Sequence, residues 1–244
     1  MVQVTVAILA TRQLTKRFGG LVAVNRVSLS VEEGSIFGLV GPNGAGKSVF
    51  LNCVAGALRP DDGRVVFRGD DTTGSNAERL CHLGLGRTFQ IPQPFPRMTA
   101  IDTVLVAAYF GAPADGVPPL EMARQSLRFV EFPHPENTPV SGLNTVELKR
   151  LDLARALASR PKLLLLDELA AGLMTGQLGA LEDILRKIRD GGVTIIMVEH
   201  VIRTILGLCD RLAVLRQGEK IADGPTKDVA GDPAVIEAYL GERH

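Results

Sequence analysis

The chain has 244 residues, of which 45% are hydrophobic and 22% are charged, a composition typical of globular proteins. Basic and acidic residues number 27 each, so the formal net charge is zero, and the overall charge does not favour a nucleic-acid partner. No uncharged apolar run approaches the ~18 residues of a membrane span, and the first residues lack the basic segment of a signal peptide. We therefore expect a cytoplasmic protein that forms one large domain or a domain with an inserted lobe, and that could still dock on a membrane protein.

The cysteine content supports a reducing environment. Cys53, Cys81 and Cys209 are odd in number and widely spaced. This pattern favours reduced, buried cysteines over a disulfide framework or a zinc site.

Short apolar segments alternate with helical patterns along the chain, which predicts an α/β fold with a largely parallel sheet. Two of these segments are apolar or nearly so throughout, as expected for strands that are covered on both faces. Strands are predicted over Ser35–Val40, Val65–Arg68, Leu163–Leu166 and Val193–Val198, with a late hairpin over 212–222.

The middle of the chain differs in composition. Residues 91–142 contain nine of the 14 prolines, and helical patterns lie between them at Ile101–Phe110 and Leu120–Val130. These features predict a small helical lobe that is inserted into the sheet domain.

The first chemical motif is GPNGAGKS at 41–48, which follows a predicted strand and precedes a helical pattern. In such a loop backbone amides surround the β- and γ-phosphates, the lysine adds a positive charge, and the serine hydroxyl can bind Mg²⁺. A glycine-rich turn without a ligand is the alternative. The predicted nucleotide-binding residues are Gly41, Pro42, Asn43, Gly44, Ala45, Gly46, Lys47, Ser48 and Val49.

The second motif is LLLLDE at 163–168. A buried strand delivers Asp167 at its carboxyl end, where ligands bind in open α/β sheets. We expect Asp167 to hold the Mg²⁺ shell and Glu168 to orient and deprotonate the attacking water. An ordinary strand followed by surface acids is the alternative.

Two further polar residues end short motifs: one stands at the start of the proline-rich lobe, and the other follows a predicted strand. Gln90 ends GRTFQ and places a polar amide at the start of the proline-rich lobe. His200 ends IIMVEH, and taken alone it is more typical of a structural histidine. The presence of all four motifs in this order favours a contact between His200 and the γ-phosphate.

With these motifs, the chain resembles the ATP-binding subunits of ABC transporters along essentially its whole length. GPNGAGKS resembles their Walker A motif, GRTFQ their Q-loop, LLLLDE their Walker B motif and VEH their H-loop. The resemblance implies ATP hydrolysis with Mg²⁺, and it implies that Gln90 serves both catalysis and the Mg²⁺ site. It also implies that Phe18 stacks on adenine, although Phe18 could instead be an ordinary core residue.

The resemblance implies a fold as well. This is a P-loop NTPase (RecA-like) core with a mostly parallel sheet, an N-terminal antiparallel β subdomain and an inserted helical subdomain. Within a single ABC ATPase domain at 1–244, the nucleotide-binding core would occupy 1–90 and 159–244, and the helical subdomain 91–158.

Three longer segments are similar to the subunits that serve branched-chain amino-acid importers. They are LTKRFGGLVAVNRVSL at 14–29, RTFQ with the following PFPRMTA, and IADGPTKDVAGDPAVIEAYLGE at 221–242. The similarity implies that the chain powers uptake of branched-chain amino acids or related small polar solutes. The alternatives are an export-type complex such as that for lipopolysaccharide, and a soluble ABC-type switch that acts on ribosomes or DNA. A nucleotide-binding regulator without hydrolysis is disfavoured by Glu168.

The resemblance also implies partners. A second ABC ATPase subunit would enclose two ATP molecules head to tail with this chain, and two transmembrane permease subunits would hold both at the cytoplasmic face of the membrane as peripheral subunits. A solute-binding protein would act indirectly, and no nucleic acid is expected. Phe95 and Met98 are candidates for the permease contact, with a solvated proline-rich loop as the alternative.

The family's signature motif, usually LSGGQ, begins 24 residues before the Walker B aspartate and therefore falls at 143–147, which read LNTVE. The match of LARAL at 153–157 supports this register. A helix is accordingly predicted to start at Asn144 and not at Ser141. The residues predicted to face the partner's ATP are Asn144, Thr145, Val146 and Glu147.

Two segments depart from the family's pattern. Asn144 stands where the family has serine, and Thr145 and Val146 stand where it has two glycines. Glycine at 146 would let the backbone approach a phosphate, and a β-branched side chain crowds it. In the second segment, Met174 replaces an aspartate or asparagine in a loop that faces the partner. Both departures concern the partner's ATP site. We therefore hypothesise a heterodimer with unequal sites; subfamily drift with full function is the alternative.

Overall fold

The computed structural model describes residues 7–112, 116–199, 202–233 and 235. Strands and helices alternate over most of this range, so the predicted α/β organisation is confirmed. The strands are β1 (Ala7–Phe18), β2 (Leu21–Glu32), β3 (Ile36–Val40), β4 (Asp62–Phe67), β5 (Asp70–Asp71), β6 (Leu85–Arg87), β7 (Leu163–Asp167), β8 (Thr194–Val198), β9 (Arg211–Arg216) and β10 (Glu219–Pro225). The helices are α1 (Lys47–Val54), α2 (Ala77–His82), α3 (Ala100–Phe110), α4 (Pro119–Phe129), α5 (Thr145–Ala158), α6 (Thr175–Asp190), α7 (Ile202–Leu208) and α8 (Thr226–Ala230).

The first sheet is antiparallel, with the order β2-β1-β4-β5. In β1 and β2, buried and exposed residues do not alternate regularly, because the β1–β2 ladder contains several register shifts. The antiparallel β part that the resemblance implied is therefore present.

The second sheet has the order β10-β9-β3-β8-β7-β6. All neighbours from β9 to β6 pair in parallel, and β10 returns antiparallel to β9 as the predicted hairpin. Every residue of β3, β7 and β8 is buried, which agrees with apolar strands covered on both faces. The parallel direction places the carboxyl ends of β3, β6, β7 and β8 at one edge of the sheet.

Helices α3, α4 and α5 pack against one another through small and branched side chains, among them Ala100, Val104 and Ala154, which are fully buried. The two predicted helices of the proline-rich lobe correspond to α3 and α4. No helix within the described residues combines the length and the apolar character needed to cross a bilayer.

The three cysteines are free. Burial raises the pKa of the Cys53 thiol to about 11 and that of Cys209 to about 12. Cys81 is only half-buried, so the expectation of burial was wrong for this residue.

A capping box begins α3, and its loss should be measurable. The Thr99 hydroxyl accepts the Asp102 N–H, and the Asp102 carboxylate accepts the Thr99 N–H. Thr99→Ala should cost about 1 kcal/mol of stability, which lowers the melting temperature by roughly 2–4 °C for a chain of this size. Thr99→Ser retains the hydroxyl and should melt close to the unsubstituted chain in the same calorimetric scan; equal losses for both variants would contradict the capping role.

Candidate nucleotide-binding site

The loop after β3 requires glycine at both ends. At Gly41 a Cβ would lie 2.1 Å from the carbonyl oxygen of Leu215, and at Gly46 it would lie 2.3 Å from that of Ala23. Gly46 also has a left-handed φ of 99° as the N-cap of α1, a conformation that glycine adopts without steric cost. The loop 41–46 therefore fits closely between β9 and β2 and leads directly into a helix N-terminus, a favourable site for anions.

Lys47 is buried at the first position of α1. Its ammonium donates to the carbonyl oxygens of Gly41 at 2.7 Å and Pro42 at 2.9 Å. Burial lowers the pKa of Lys47, and the nearby carboxylates of Glu168 and Asp167 act in the opposite direction. A cation held at the base of the loop is thus available to a phosphate.

Asp167 ends β7 and is 4% exposed. Its Oδ2 accepts from Arg87 Nη2 at 3.3 Å, and the other guanidinium nitrogen, Nη1, donates to Asn52 Oδ1 at 2.6 Å. Burial raises the pKa of Asp167, and the Arg87 charge opposes that rise. Among the described residues, Oδ1 of Asp167 is buried with no hydrogen-bond partner.

The oxygen atoms at this edge fit a Mg²⁺ ion. Oδ1 of Asp167 is a buried acceptor without a partner, Ser48 presents an exposed hydroxyl at the start of α1, and Gln90 supplies an amide. Mg²⁺ prefers such oxygen ligands, and it commonly uses only one or two carboxylates together with water and substrate phosphates.

Glu168 and Gln90 meet directly. Gln90 Nε2 donates to Glu168 Oε2 at 2.6 Å. The backbone of Glu168 is left-handed, with φ 50°, and its N–H donates to the carbonyl oxygen of Val198 on β8 at 2.9 Å. His200 lies outside the described residues.

A cleft of about 720 Å³ brings most of the predicted residues together. Phe18 is 46% exposed at this cleft, with Lys16 Nζ 5.5 Å from its ring centre, so it is not an ordinary core residue. The cleft is lined by Phe18, Leu21, Val22, Ala23, Asn43, Gly44, Ala45, Gly46, Lys47, Ser48, Val49, Gln90, Glu168, Gln217 and Gly218.

Several residues at this site were not predicted from the sequence. Gly218 donates its N–H to Ala45 at 3.1 Å and accepts the Asn25 N–H at 2.8 Å, so the β9–β10 turn supports the loop. The only sequence signal was a glycine in a hairpin. Arg87 precedes the predicted Gln90 by three residues, and no local pattern distinguished it from a surface arginine.

The predicted helix start at Asn144 is confirmed. Asn144 is the N-cap of α5, and its Oδ1 accepts the N–H groups of Val146 at 3.0 Å and Glu147 at 3.1 Å. Glu147 Oε2 accepts the Asn144 N–H at 2.8 Å in return. Ser141 and Gly142 belong to the preceding 3₁₀ turn, Val140–Gly142.

The residues predicted to face a partner do not line this chain's cleft. Among the described residues that line it, none comes from 143–147. Asn144 and Thr145 are exposed, and Met174 is 74% exposed at the start of α6.

Comparison with known proteins identifies the class. Residues 24–171 match the family model described as ABC transporter. The chain therefore belongs to the ABC transporter ATP-binding family and is an ATPase that binds ATP. The predicted P-loop α/β fold is likewise confirmed by the structural neighbours.

More particular similarities follow. Residues 219–244 match a model described as branched-chain amino acid ATP-binding cassette transporter. The chain is 36% identical to the probable branched-chain amino acid transport ATP-binding protein LivG of Archaeoglobus fulgidus, covering 96% of this chain and 95% of that protein. It is also 35% identical to the high-affinity branched-chain amino acid transport ATP-binding protein BraF of Pseudomonas aeruginosa. That alignment covers 96% of this chain and 98% of BraF. A crystal structure of an ATP-binding cassette of an ABC transporter in its ADP conformation has a TM-score of 0.87 and 33% identity, covering 98% of this chain and 100% of the other.

The close approach at Gly46 can be tested with two glycine-to-alanine variants of the loop. Gly46→Ala places a methyl group against the Ala23 carbonyl and should reduce ATP affinity at least about tenfold, because the loop must move. Gly44→Ala shares a positive φ of 78° but has no atom within 4 Å of the added Cβ, so only the backbone cost applies. Titration with a fluorescent ATP analogue measures both; equal affinities for the two variants would show that the close approach at Gly46 does not matter for binding.

Proposed function

We propose that this chain is the ATP-hydrolysing subunit of an ABC importer for branched-chain amino acids or related small polar solutes. The observation that carries the proposal is the match of 219–244 to the branched-chain amino acid transporter model. The relatives named for branched-chain amino acid transport, aligned over 96% of the chain, support it.

The proposed chemistry uses the residues of the cleft. The amides of 41–48 and the Lys47 ammonium hold the β- and γ-phosphates, and Phe18 stacks on adenine. Mg²⁺, held by Ser48, Gln90 and Asp167, would neutralise charge that develops during phosphoryl transfer. Glu168 accepts a proton from the attacking water, and His200 contacts the γ-phosphate.

The geometry around Glu168 suits a general base. Its carboxylate is fixed by the 2.6 Å bond from Gln90 and lies at the same cleft as Lys47. A base held in place avoids the entropic cost of orienting it in the transition state.

We also propose an assembly. The core at 1–90 and 159–244 and the helical subdomain at 91–158 form one ATPase unit, and two such units enclose two ATP molecules head to tail. Two transmembrane permeases hold them peripherally at the cytoplasmic face of the membrane, and a solute-binding protein delivers the solute.

The segment after Gln90 suits the permease contact. Phe95 and Met98 are exposed apolar side chains. Arg155 supports this segment: its Nη1 donates to the Gln93 carbonyl at 2.7 Å, and its guanidinium lies 5.9 Å from the Phe95 ring centre.

The unequal-site hypothesis gains support from the start of α5. Oδ1 of Asn144 already accepts two N–H groups of its own helix, so a phosphate that binds there competes with the cap. The exposed Met174 occupies the other departing position. These features favour a heterodimer in which this chain completes the partner's site weakly.

The transport proposal is tested by uptake. Cells that lack this chain should lose uptake of radiolabelled leucine, isoleucine and valine, and the unsubstituted chain should restore it. Glu168→Gln should not restore it, because the base is lost, while the purified variant should retain ATP affinity within about threefold. Normal uptake of all three amino acids in the deleted cells would overturn the substrate assignment, and full restoration by the variant would overturn the role of Glu168.

The heterodimer hypothesis predicts a gain of activity. Replacing the departing signature residues together, with Asn144→Ser, Thr145→Gly and Val146→Gly, should raise turnover at the partner's site by roughly fivefold, which corresponds to about 1 kcal/mol, because glycine lets the backbone approach a phosphate. Turnover at each site is isolated by removing the catalytic glutamate of the other chain. Two sites that are equally active before any substitution would exclude the hypothesis.

A further inference from the structure

Lys149 is a lysine in the interior of the molecule. It lies in the second turn of α5 and is 7% exposed. Its ammonium donates to three backbone carbonyl oxygens, those of Glu168 at 3.0 Å, Leu169 at 3.2 Å and Ala171 at 2.6 Å. An ammonium has three protons, so these three acceptors match its full donor capacity.

The three carbonyls belong to the turn that carries the Glu168 carboxylate. Glu168 has a left-handed backbone although it is not glycine, a conformation that persists only where the surroundings determine it. The turn directs the carbonyl oxygens of 168, 169 and 171 toward one point, and like dipoles in this arrangement repel one another without a cation.

The opposite side of the turn is held by different residues. The Glu168 N–H donates to Val198 on β8, and the Ala170 N–H donates to Glu199 Oε1 at 2.7 Å. Glu199 is 2% exposed. The turn is therefore fixed to the sheet through its N–H groups and to α5 through its carbonyls.

A second contact joins α5 to the same site. Asp152, one turn after Lys149, accepts the Phe89 N–H at 3.0 Å and pairs with Arg155. Phe89 immediately precedes Gln90, whose amide binds Glu168. Helix α5 thus holds both members of the Gln90–Glu168 pair, one through Lys149 and the other through Asp152.

The same helix begins at Asn144, five residues before Lys149, a rise of about 7.5 Å. The helix start and the carbonyl group of Glu168 are therefore joined by one short segment of α5. Burial lowers the pKa of Lys149, and the Glu199 and Glu168 carboxylates act in the opposite direction.

We propose that Lys149 is a positioning residue that fixes the Glu168 carboxylate and links it to the start of α5. This inference rests on the proposed role of Glu168 as the base and of 143–147 as the segment that meets the partner's ATP.

The test compares Lys149→Met, which keeps the length and removes the charge, with Lys149→Arg, which restores a cation. Lys187→Met is the control, because the Lys187 ammonium lies at the surface of α6 beside Glu131. Lys149→Met should lower kcat by about 10²-fold, as expected for a displaced reacting group, with KM for ATP within about threefold. Lys149→Arg should recover at least about a tenth of the lost activity, and Lys187→Met should match the unsubstituted chain.

A double substitution separates positioning from general weakening. In the Glu168→Gln background, Lys149→Met should lower the residual turnover no further, because its effect passes through Glu168. The proposal would be overturned if the effects of the two substitutions multiply. It would also be overturned if Lys149→Met leaves kcat unchanged, or if this variant loses kcat and ATP affinity in parallel. If Lys149→Met does not fold, Lys149→Gln, which retains two donors, is measured in the same scheme.

The two proposals fail in distinguishable ways. Full turnover in Glu168→Gln alone would contradict the proposed base. A loss in Glu168→Gln that Lys149→Met does not share would leave the base intact and contradict only the positioning role.

Discussion

The parallel pairing of β3 with β8 and of β8 with β7 determines where the chemistry of this molecule lies. Parallel strands end at the same edge, so residues from distant parts of the chain meet there without any local signal between them. Lys47 follows β3, Asp167 and Glu168 lie at the end of β7, and Val198 ends β8. These strands are buried on both faces, and a one-residue slip would exchange the side chains that pack against the two layers. The site is rigid because its residues are attached to the ends of these buried strands.

Helix α5 also holds segments of the site through hydrogen bonds. Its buried polar residues, Lys149 and Asp152, have few alternatives to the contacts they make, because an unpaired charge in the interior is costly. Both bind backbone groups of the segments that contain Glu168 and precede Gln90, at 168–171 and at Phe89. A rigid helix with two polar anchors therefore constrains two otherwise irregular loops, and the capped end of that helix is exposed to solvent.

Much of this arrangement could be predicted from local patterns. The apolar runs of β7 and β8, the loop at 41–48 and the helix start at Asn144 each carry a short-range signal in sequence order. The long strands β1 and β2 carry no such signal, because polar residues and register shifts interrupt the alternation of buried and exposed positions. Strand β6 has only three residues, too few for a period. The pairs Arg87–Asp167 and Lys149–Ala171 join residues 80 and 22 positions apart, and only the tertiary fold reveals them.

The start of α5 shows how local stability and ligand binding compete. A helix N-terminus attracts anions through free N–H groups and its dipole. Here Asn144 Oδ1 accepts two of those N–H groups, and the Glu147 carboxylate, whose pKa is held below its usual range by the Asn144 N–H, adds a negative charge. His134 Nε2 lies 2.8 Å from that carboxylate and offsets the charge when protonated. A phosphate approaching this end would therefore compete with the Asn144 oxygen for those N–H groups and meet the negative charge of Glu147, whereas glutamine at position 147, as in the usual LSGGQ, would carry no charge. The LNTVE sequence therefore uses two of the donors at the start of α5 to stabilise its own helix.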